Sequence, residues 1–419
     1  PVDGQSQDTT ATELFEDEDA RQADDAAQVR RLEAASTCGS CVWSIDGKGV
    51  LTIKPKSGSV GTLADWGYDG PPWKSKAAEI TAVKFSGTIK AQCCFAMFFN
   101  CAKLASVDFT GLDTSQSTSW ASMFSNCEKL KSVDLRKLDT SSANDLGALF
   151  SNCTRLKTIK MKGIDTSNVE SMTGMFEGCR SLVTLDLSGL NSSKVNSMRL
   201  MFAECSSLVT LNLEGFDTSG VIDMWGMFED CESIQRVDLS GFDTSQVYYV
   251  RDMFSGCKAL TTLDLSGFDF SHVTDMSFML CKCTKLSAVK MPSSGTPKLK
   301  SIQKMFLGCS ALKSLDLSQF DFTRVNDVEE AFNGCSSLRT LLLPSTRTSK
   351  IKSMSSLFSG CKSLKTLDLS AFNTSNVRDF SSLFKGCSSL RSEERQSTSP
   401  VLIPPKLQKC SSCFMSAPL

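Results

Sequence analysis

The sequence predicts a repeat solenoid of about twelve 26-residue coils, and two observations predict it. Cysteines stand at 101, 127, 153, 179, 205, 231, 257, 283, 309, 335, 361 and 387, every interval being 26 residues. Three residues after each cysteine comes Leu, from Leu104 to Leu390, with Ile234 the single variant. Periods of roughly 20–50 residues mark solenoids and arrays, because one such unit cannot bury its own apolar edge and a stack of copies can.

Each part of the unit has its own logic. The Leu is followed by aliphatic residues six and eight positions after the cysteine, as in Leu185 and Leu187 or Leu263 and Leu265. That alternation reads as a short strand. An Asp-Thr-Ser triplet comes next, at 113–115, 139–141, 165–167, 217–219 and 243–245. Asp and Ser favour turns there because their side chains bond nearby backbone N–H groups. The unit closes on V-x-x-M-x-x-M-F-x-x-C, as in Val169, Met172, Met175, Phe176 and Cys179. Its spacing predicts one or two turns of helix with a single apolar side. In-register strands lie about 4.8 Å apart, so a dozen coils span on the order of 55 Å.

The cysteine column reads as structural. Free Cys behaves as a small buried hydrophobe, although stacked neighbours would also sit near disulfide distance, which leaves pairwise bridges open. A metal site needs four converging ligands rather than twelve in file. Cys93, Cys94 and Cys281 stand off this spacing, as do Cys38 and Cys41, which form a C-x-x-C. That motif suits a redox pair or half a zinc site. No βαβ pattern surrounds it, and Cys410 and Cys413 lie at the other end of the array. A local disulfide or inert thiols is the plainer reading.

Composition excludes several function classes. Over 419 residues, 45 Lys+Arg balance 46 Asp+Glu for a net charge of −1, which gives no global basic field and no expectation of a nucleic-acid partner. His272 is the single histidine, so a multi-histidine metal site is ruled out. It replaces the turn residue that is Asn168, Gln246 or Asn376 in other coils, and reads as a turn substitution. Neither a phosphate-binding Gly-rich loop nor a nucleophile elbow is present. We therefore expect no enzyme activity, no cofactor and no metal. No run of 18 or more apolar residues occurs, so no transmembrane segment is expected. Residues 1–37 read as a disordered acidic leader, with ten acids and three bases in the first 36 residues. The chain opens on Pro1 rather than Met, so the lack of a signal peptide says nothing about export.

The full unit L-x-x-L-D-L-S-G-F-D-T-S-x-V-x-x-M-x-x-M-F-x-x-C, matched almost position for position at 181–205 and 259–283, resembles the BspA-type leucine-rich repeats. These are found on surface proteins of host-associated bacteria and some parasitic protists. The stretch 43–53, Pro72-Trp73 and 80–85 resemble the small β-rich cap that precedes such arrays. The resemblance implies a leucine-rich-repeat solenoid of short strands and short helical turns over 96–390, after a cap over 38–95. It also implies a cell-surface or secreted location and a role in adhesion or protein binding. The expected partners are extracellular or host proteins, with glycans as a second class. A carbohydrate-binding or structural coat protein, and an intracellular leucine-rich-repeat adaptor, are the alternatives.

Two coils depart from the unit by carrying Pro292 and Pro297, and Pro344, in place of the usual turn, and these are expected to bulge. After Leu390 the strand position reads Glu393-Glu394-Arg395, so the array is expected to end there. Residues 391–419 form a degenerate or truncated tail.

Binding candidates lie on two faces. On the strand face, a column of Asp (Asp108, Asp134, Asp186, Asp238, Asp264, Asp316, Asp368) is broken by Lys160, Asn212, Lys290 and Leu342. It reads as a solvated face, with Ca²⁺ bridging the weaker alternative. A neighbouring Ser/Thr column could meet sugars. The other candidate lies around the Met positions, where most coils place small polar or charged residues and the middle coils place Ile222, Trp225, Tyr248 and Tyr249. Arg199 and Arg251 flank Trp225 in its own column. Exposed aromatics edged by Arg have the composition of an interaction hot spot; rings covering a local packing gap are the competing reading.

Overall fold

The computed structural model describes residues 36–390 and the backbone of 401–402. The acidic leader, Cys410 and Cys413 lie outside the described residues.

The chain begins with a hairpin in which Thr37–Cys38 pairs antiparallel with Cys41–Ile45, and that strand pairs antiparallel with Val50–Pro55. Gly39, with φ +61°, makes the turn between Cys38 and Cys41; a Cβ there would lie 2.3 Å from the Thr62 carbonyl. Val50–Pro55 pairs in parallel with Ala82–Phe85, which pairs in parallel with Ser106–Asp108 of the first coil. The cap sheet thus runs without a break into the solenoid. Trp66 and Trp73 pack edge to face with ring centroids 5.7 Å apart, and their indole N–H groups donate to the carbonyls of Phe95 and Met97. Each ring fills the cap core while its polar end fastens the cap to the first coil.

The coils stack in register. Strands of three residues pair in parallel with the residue 26 positions on, as Thr184↔Thr210 and Thr262↔Ala288. Along Thr184–Asp186 the middle side chain is buried and its two neighbours face solvent. The pairing runs two strands at a time rather than as one continuous sheet.

The closing V-x-x-M-x-x-M-F-x-x-C segment differs from the helix its spacing predicts. It is a run of tight turns. Two residues per coil adopt left-handed backbone: the second after the first Met position and the one before Cys, as in Leu200 (φ +54°) and Glu204 (φ +57°). Alternate N–H groups leave the coil and donate to the next one: Met198 to Asp223, Leu200 to Trp225, Phe202 to Met227 and Glu204 to Glu229, at 2.7 to 2.9 Å. The intervening N–H groups close turns within the coil, Met201 to the Met198 carbonyl and Cys205 to that of Phe202. A helix would keep all these bonds to itself and present only side chains to its neighbours. The turn run instead satisfies the buried backbone of adjacent coils reciprocally. Both arrangements bury the same Met, Met, Phe and Cys positions, so apolar spacing alone does not separate them.

The core is a set of side-chain columns. Phe124, Phe150, Phe176, Phe202, Phe228 and Phe254 form one stack, with centroids 5.2 to 6.0 Å apart. Leu280 interrupts it, and Phe306, Phe332, Phe358 and Phe384 form a second. All seventeen cysteines of the described residues are free and buried. From Cys127 onward each thiol of the column donates to a carbonyl of the preceding coil, Cys205 to Phe176 and Cys231 to Phe202, both at 3.1 Å. Burial pushes the Cys153 and Cys205 thiols up to about 12, which fits structural rather than reactive thiols. Cys38 and Cys41 are also buried, and burial pushes Cys41 up to about 11.

The Asp-Thr-Ser turn uses each residue differently. Asp217 Oδ1 accepts the Ser219 N–H at 2.9 Å. The buried Thr218 hydroxyl reaches into the next coil, donating to the Asp243 carbonyl and accepting the Asp243 N–H. The Pro-bearing coils keep this device rather than bulging away from it: Thr296 and Thr348 are buried and accept the N–H groups of Asp321 and Asn373, both at 3.0 Å. One further strand pairing lies beyond the expected end of the array. Val401–Leu402 pairs in parallel with Leu367–Asp368, later in the chain than the 26-residue spacing would place it.

Candidate contact surface on the middle coils

The turn run determines which residues the middle coils display. Val221 and Val247 point inward and are fully buried, which turns the residues on either side of each outward. Backbone bonds stack these positions coil on coil, the Tyr248 N–H donating to the Ile222 carbonyl at 3.0 Å. Ile222, Tyr248 and Tyr249 are 43%, 42% and 55% exposed. Tyr248 lies 6.5 Å from Tyr249 and 5.1 Å from the His272 ring. His272, read from the sequence as a turn substitution, does occupy the turn, and its ring extends the aromatic edge into a third coil.

Trp225 belongs to a different layer. It is half-buried rather than exposed. The Arg199 guanidinium lies 3.8 Å over its ring and that of Arg251 5.8 Å on. Its indole N–H donates to Asp252 Oδ2 at 3.3 Å. The Arg251 guanidinium also lies 5.2 Å from the Phe278 ring, and Lys304 Nζ lies 5.5 Å from the same ring. The result is an alternating file of cation and ring, Arg199–Trp225–Arg251–Phe278–Lys304, across five coils. Each contact stabilises by about 0.5–1 kcal/mol at exposed sites. The sequence reading named the first three members and missed Phe278 and Lys304. Its signal was there: Phe278 is the one aromatic in a column that is small or charged everywhere else but Leu200, held at φ +60°.

Carboxylates gather around this file. Burial pushes Asp223, Asp252 and Glu177 upward from the usual carboxylate range. Glu229 is pushed up to about 7, first by burial and then by the charges of Asp252, Asp230, Glu204 and Glu177. Arg251 is held beside the indole by Asp252 Oδ2 at 3.2 Å.

The strand face contrasts with this. Asp186, Asp238 and Asp316 each accept the N–H two residues on, at 2.8 to 3.0 Å, closing their own turns. Lys290 pairs with Asp264 at 2.7 Å. Such carboxylates are already committed within their own coil or to the next.

A family model described as "Mycoplasma protein of unknown function, DUF285" matches residues 92–210, 183–292 and 300–402. The chain belongs to this family. The last match runs through Val401–Leu402, in keeping with the strand pairing there. No curated protein matches the chain. Among solved structures, a leucine-rich repeat protein from Bacteroides ovatus is 15% identical, covering 82% of this chain and 98% of that one, with a TM-score of 0.43. A leucine rich cell surface protein from Faecalibacterium prausnitzii is 16% identical over 79% of this chain and 93% of that one, with a TM-score of 0.32. A functional domain of InlJ from Listeria monocytogenes, described as including a cysteine ladder, is 14% identical over 74% of this chain and 67% of that one, with a TM-score of 0.23.

Proposed function

We propose that this chain is a cell-surface or secreted leucine-rich-repeat protein of the BspA type that binds other proteins, in adhesion to host or neighbouring-cell macromolecules. The observation that carries the reading is the exposed edge of Ile222, Tyr248 and Tyr249, backed by the Arg199–Trp225–Arg251 file. Aromatics with Arg at their margin desolvate readily and are enriched at protein contacts. The file behind them is braced by indole, guanidinium and carboxylate, so the edge is preorganised. Binding rather than catalysis is supported by how the polar groups are used: strand-face carboxylates close turns, and His272 packs on Tyr248.

The test immobilises the full chain and passes extracellular-matrix and serum proteins over it, with Ile222→Ser/Tyr248→Ser alongside. We expect a retained protein whose retention the double variant loses while keeping the wild-type melting curve. Retention unchanged by the double variant would move binding to another face. Surface biotinylation of cells producing the protein checks location, with labelling of the chain on intact cells as the expected result.

A further inference from the structure

The edge that is aromatic in the middle coils becomes cationic further along. Leu299, Val325, Ile351 and Val377 are buried in four consecutive coils, so the residues flanking each of them face outward. Those flanking positions hold Lys298, Lys300, Arg324, Lys350, Lys352 and Arg378, all exposed. In the preceding three coils the same two columns carry Gly220 and Ile222, Gln246 and Tyr248, and His272 and Thr274, none of them Lys or Arg. Backbone bonds fix the stacking: the Asn326 N–H donates to the Lys300 carbonyl at 2.9 Å, and the Arg378 N–H to the Lys352 carbonyl at 2.8 Å. Ser301↔Asp327 and Ser353↔Asp379 bridge in parallel beside them. At about 4.8 Å per coil the strip is roughly 15 Å long.

None of the six cations is paired with a carboxylate among the described residues. The acids nearest in sequence are committed to their own turns: Asp321 accepts the Thr323 N–H at 2.8 Å, Asp327 that of Glu329 at 3.1 Å, and Asp379 that of Ser381 at 2.8 Å. Like charges stacked on adjacent coils repel, so the strip costs stability that an external anion would recover.

We propose that this strip binds a linear sulfated polysaccharide laid along the solenoid edge. Its partner must carry fixed negative charge repeating along a line, to meet one or two cations per coil over four coils. No aromatic stands among the six, so the bases of a single-stranded nucleic acid would find no stacking platform. All six are charged and exposed, so none of them offers the apolar anchor point that an acidic protein would use. Sulfates on a sugar chain need neither, only point charges and hydroxyl partners. The strip begins one coil after His272 on the same edge, and it stands whether or not the aromatic residues bind protein.

The test measures retention of the full chain on immobilised heparin across a salt series. Lys300→Ser/Arg324→Ser/Lys350→Ser/Lys352→Ser removes the strip. Lys129→Ser/Lys131→Ser/Arg155→Ser/Lys157→Ser removes equal charge from exposed positions on early coils. The expected results are retention of the wild type, about a ten-fold or greater loss of affinity in the strip variant with a salt slope lower by about three to four units, and near-wild-type binding by the control. Fully desulfated heparin should not retain the protein. Equal losses in both variants would overturn the proposal by showing general ion exchange. Equal or tighter binding of a single-stranded oligonucleotide or of poly-glutamate would overturn the choice of partner. Because Ile222→Ser/Tyr248→Ser leaves the strip intact, its heparin retention should match the wild type.

Discussion

The two flanks of each coil are built differently. On the strand flank, three residues pair with one neighbour, the ladder breaks between pairs, and the outward side chains close their own turns. On the turn flank, up to four N–H groups per coil donate to the next, the Phe rings stack, and the thiols donate to the preceding coil. The difference teaches where the scaffold's rigidity lies. Leucine-patterned strands give the repeat its familiar look, but the M-x-x-M-F-x-x-C run is the spine. The display positions flank the buried Val-type residue that leads into this run, so the aromatic edge and the cationic strip both sit beside the spine.

Substitutions can break or sharpen that contrast. The largest effect belongs to the ring stack. Phe176→Ala opens a cavity between Phe150 and Phe202 and should cost about 3–5 kcal/mol in urea unfolding, with a broadened transition if the array unfolds in parts. Next come left-handed positions of the spine. Gly256 sits at φ +74°, and a Cβ there would lie 1.9 Å from Asp230 Oδ1. Gly256→Ala should destabilise by about 1–2 kcal/mol. Gly241→Ala, on the turn after the strand position where a Cβ meets nothing within 4 Å, should be neutral or stabilising by about 0.5 kcal/mol. Equal effects of the two would erase the contrast.

A third effect depends on pH. Because burial and neighbouring carboxylates raise Glu229 to about 7 in the folded protein, the folded state holds its proton more readily than the unfolded chain does. Its contribution to stability is present at low pH and is lost as pH rises from the ordinary carboxylate range through about 7. Glu229→Gln should therefore stabilise by about 1 kcal/mol at pH 8, after allowance for solvent screening, and change little at pH 4. Melting temperatures at the two pH values would show it. The smallest effect is expected on the outward strand flank, where Thr184→Ala should stay within about 0.5 kcal/mol of wild type.

Much of this was legible in the sequence because periodicity reports columns. The cysteine interval fixed the coil length, Leu185 and Leu187 marked a strand, and the Asp and Ser of the turn sit as their hydrogen-bonding habits require. The spine was misread as helix because Met198, Met201, Phe202 and Cys205 are buried in either conformation. Backbone handedness decided it, and its signal was a different column: Asn126, Asn152, Gly178, Asp230, Gly256 and Gly308, the residue types that tolerate positive φ. The aromatic patch was found by type but not by depth. Sequence columns place Ile222 beside Tyr248 and Trp225 close to Tyr249, yet two guanidiniums lie over the half-buried indole, and the rotamers that put them there leave no trace in spacing. The strand at 401–402 was missed because a longer connection moves it off the 26-residue register.

Amide hydrogen exchange resolved by residue tests the central claim most directly. The account predicts that the amides of Leu200, Phe202, Gly226 and Phe228 on the spine outlast those of Leu187 and Thr210 on the strand flank. Strand-flank amides that exchange as slowly as the spine, or more slowly, would contradict it.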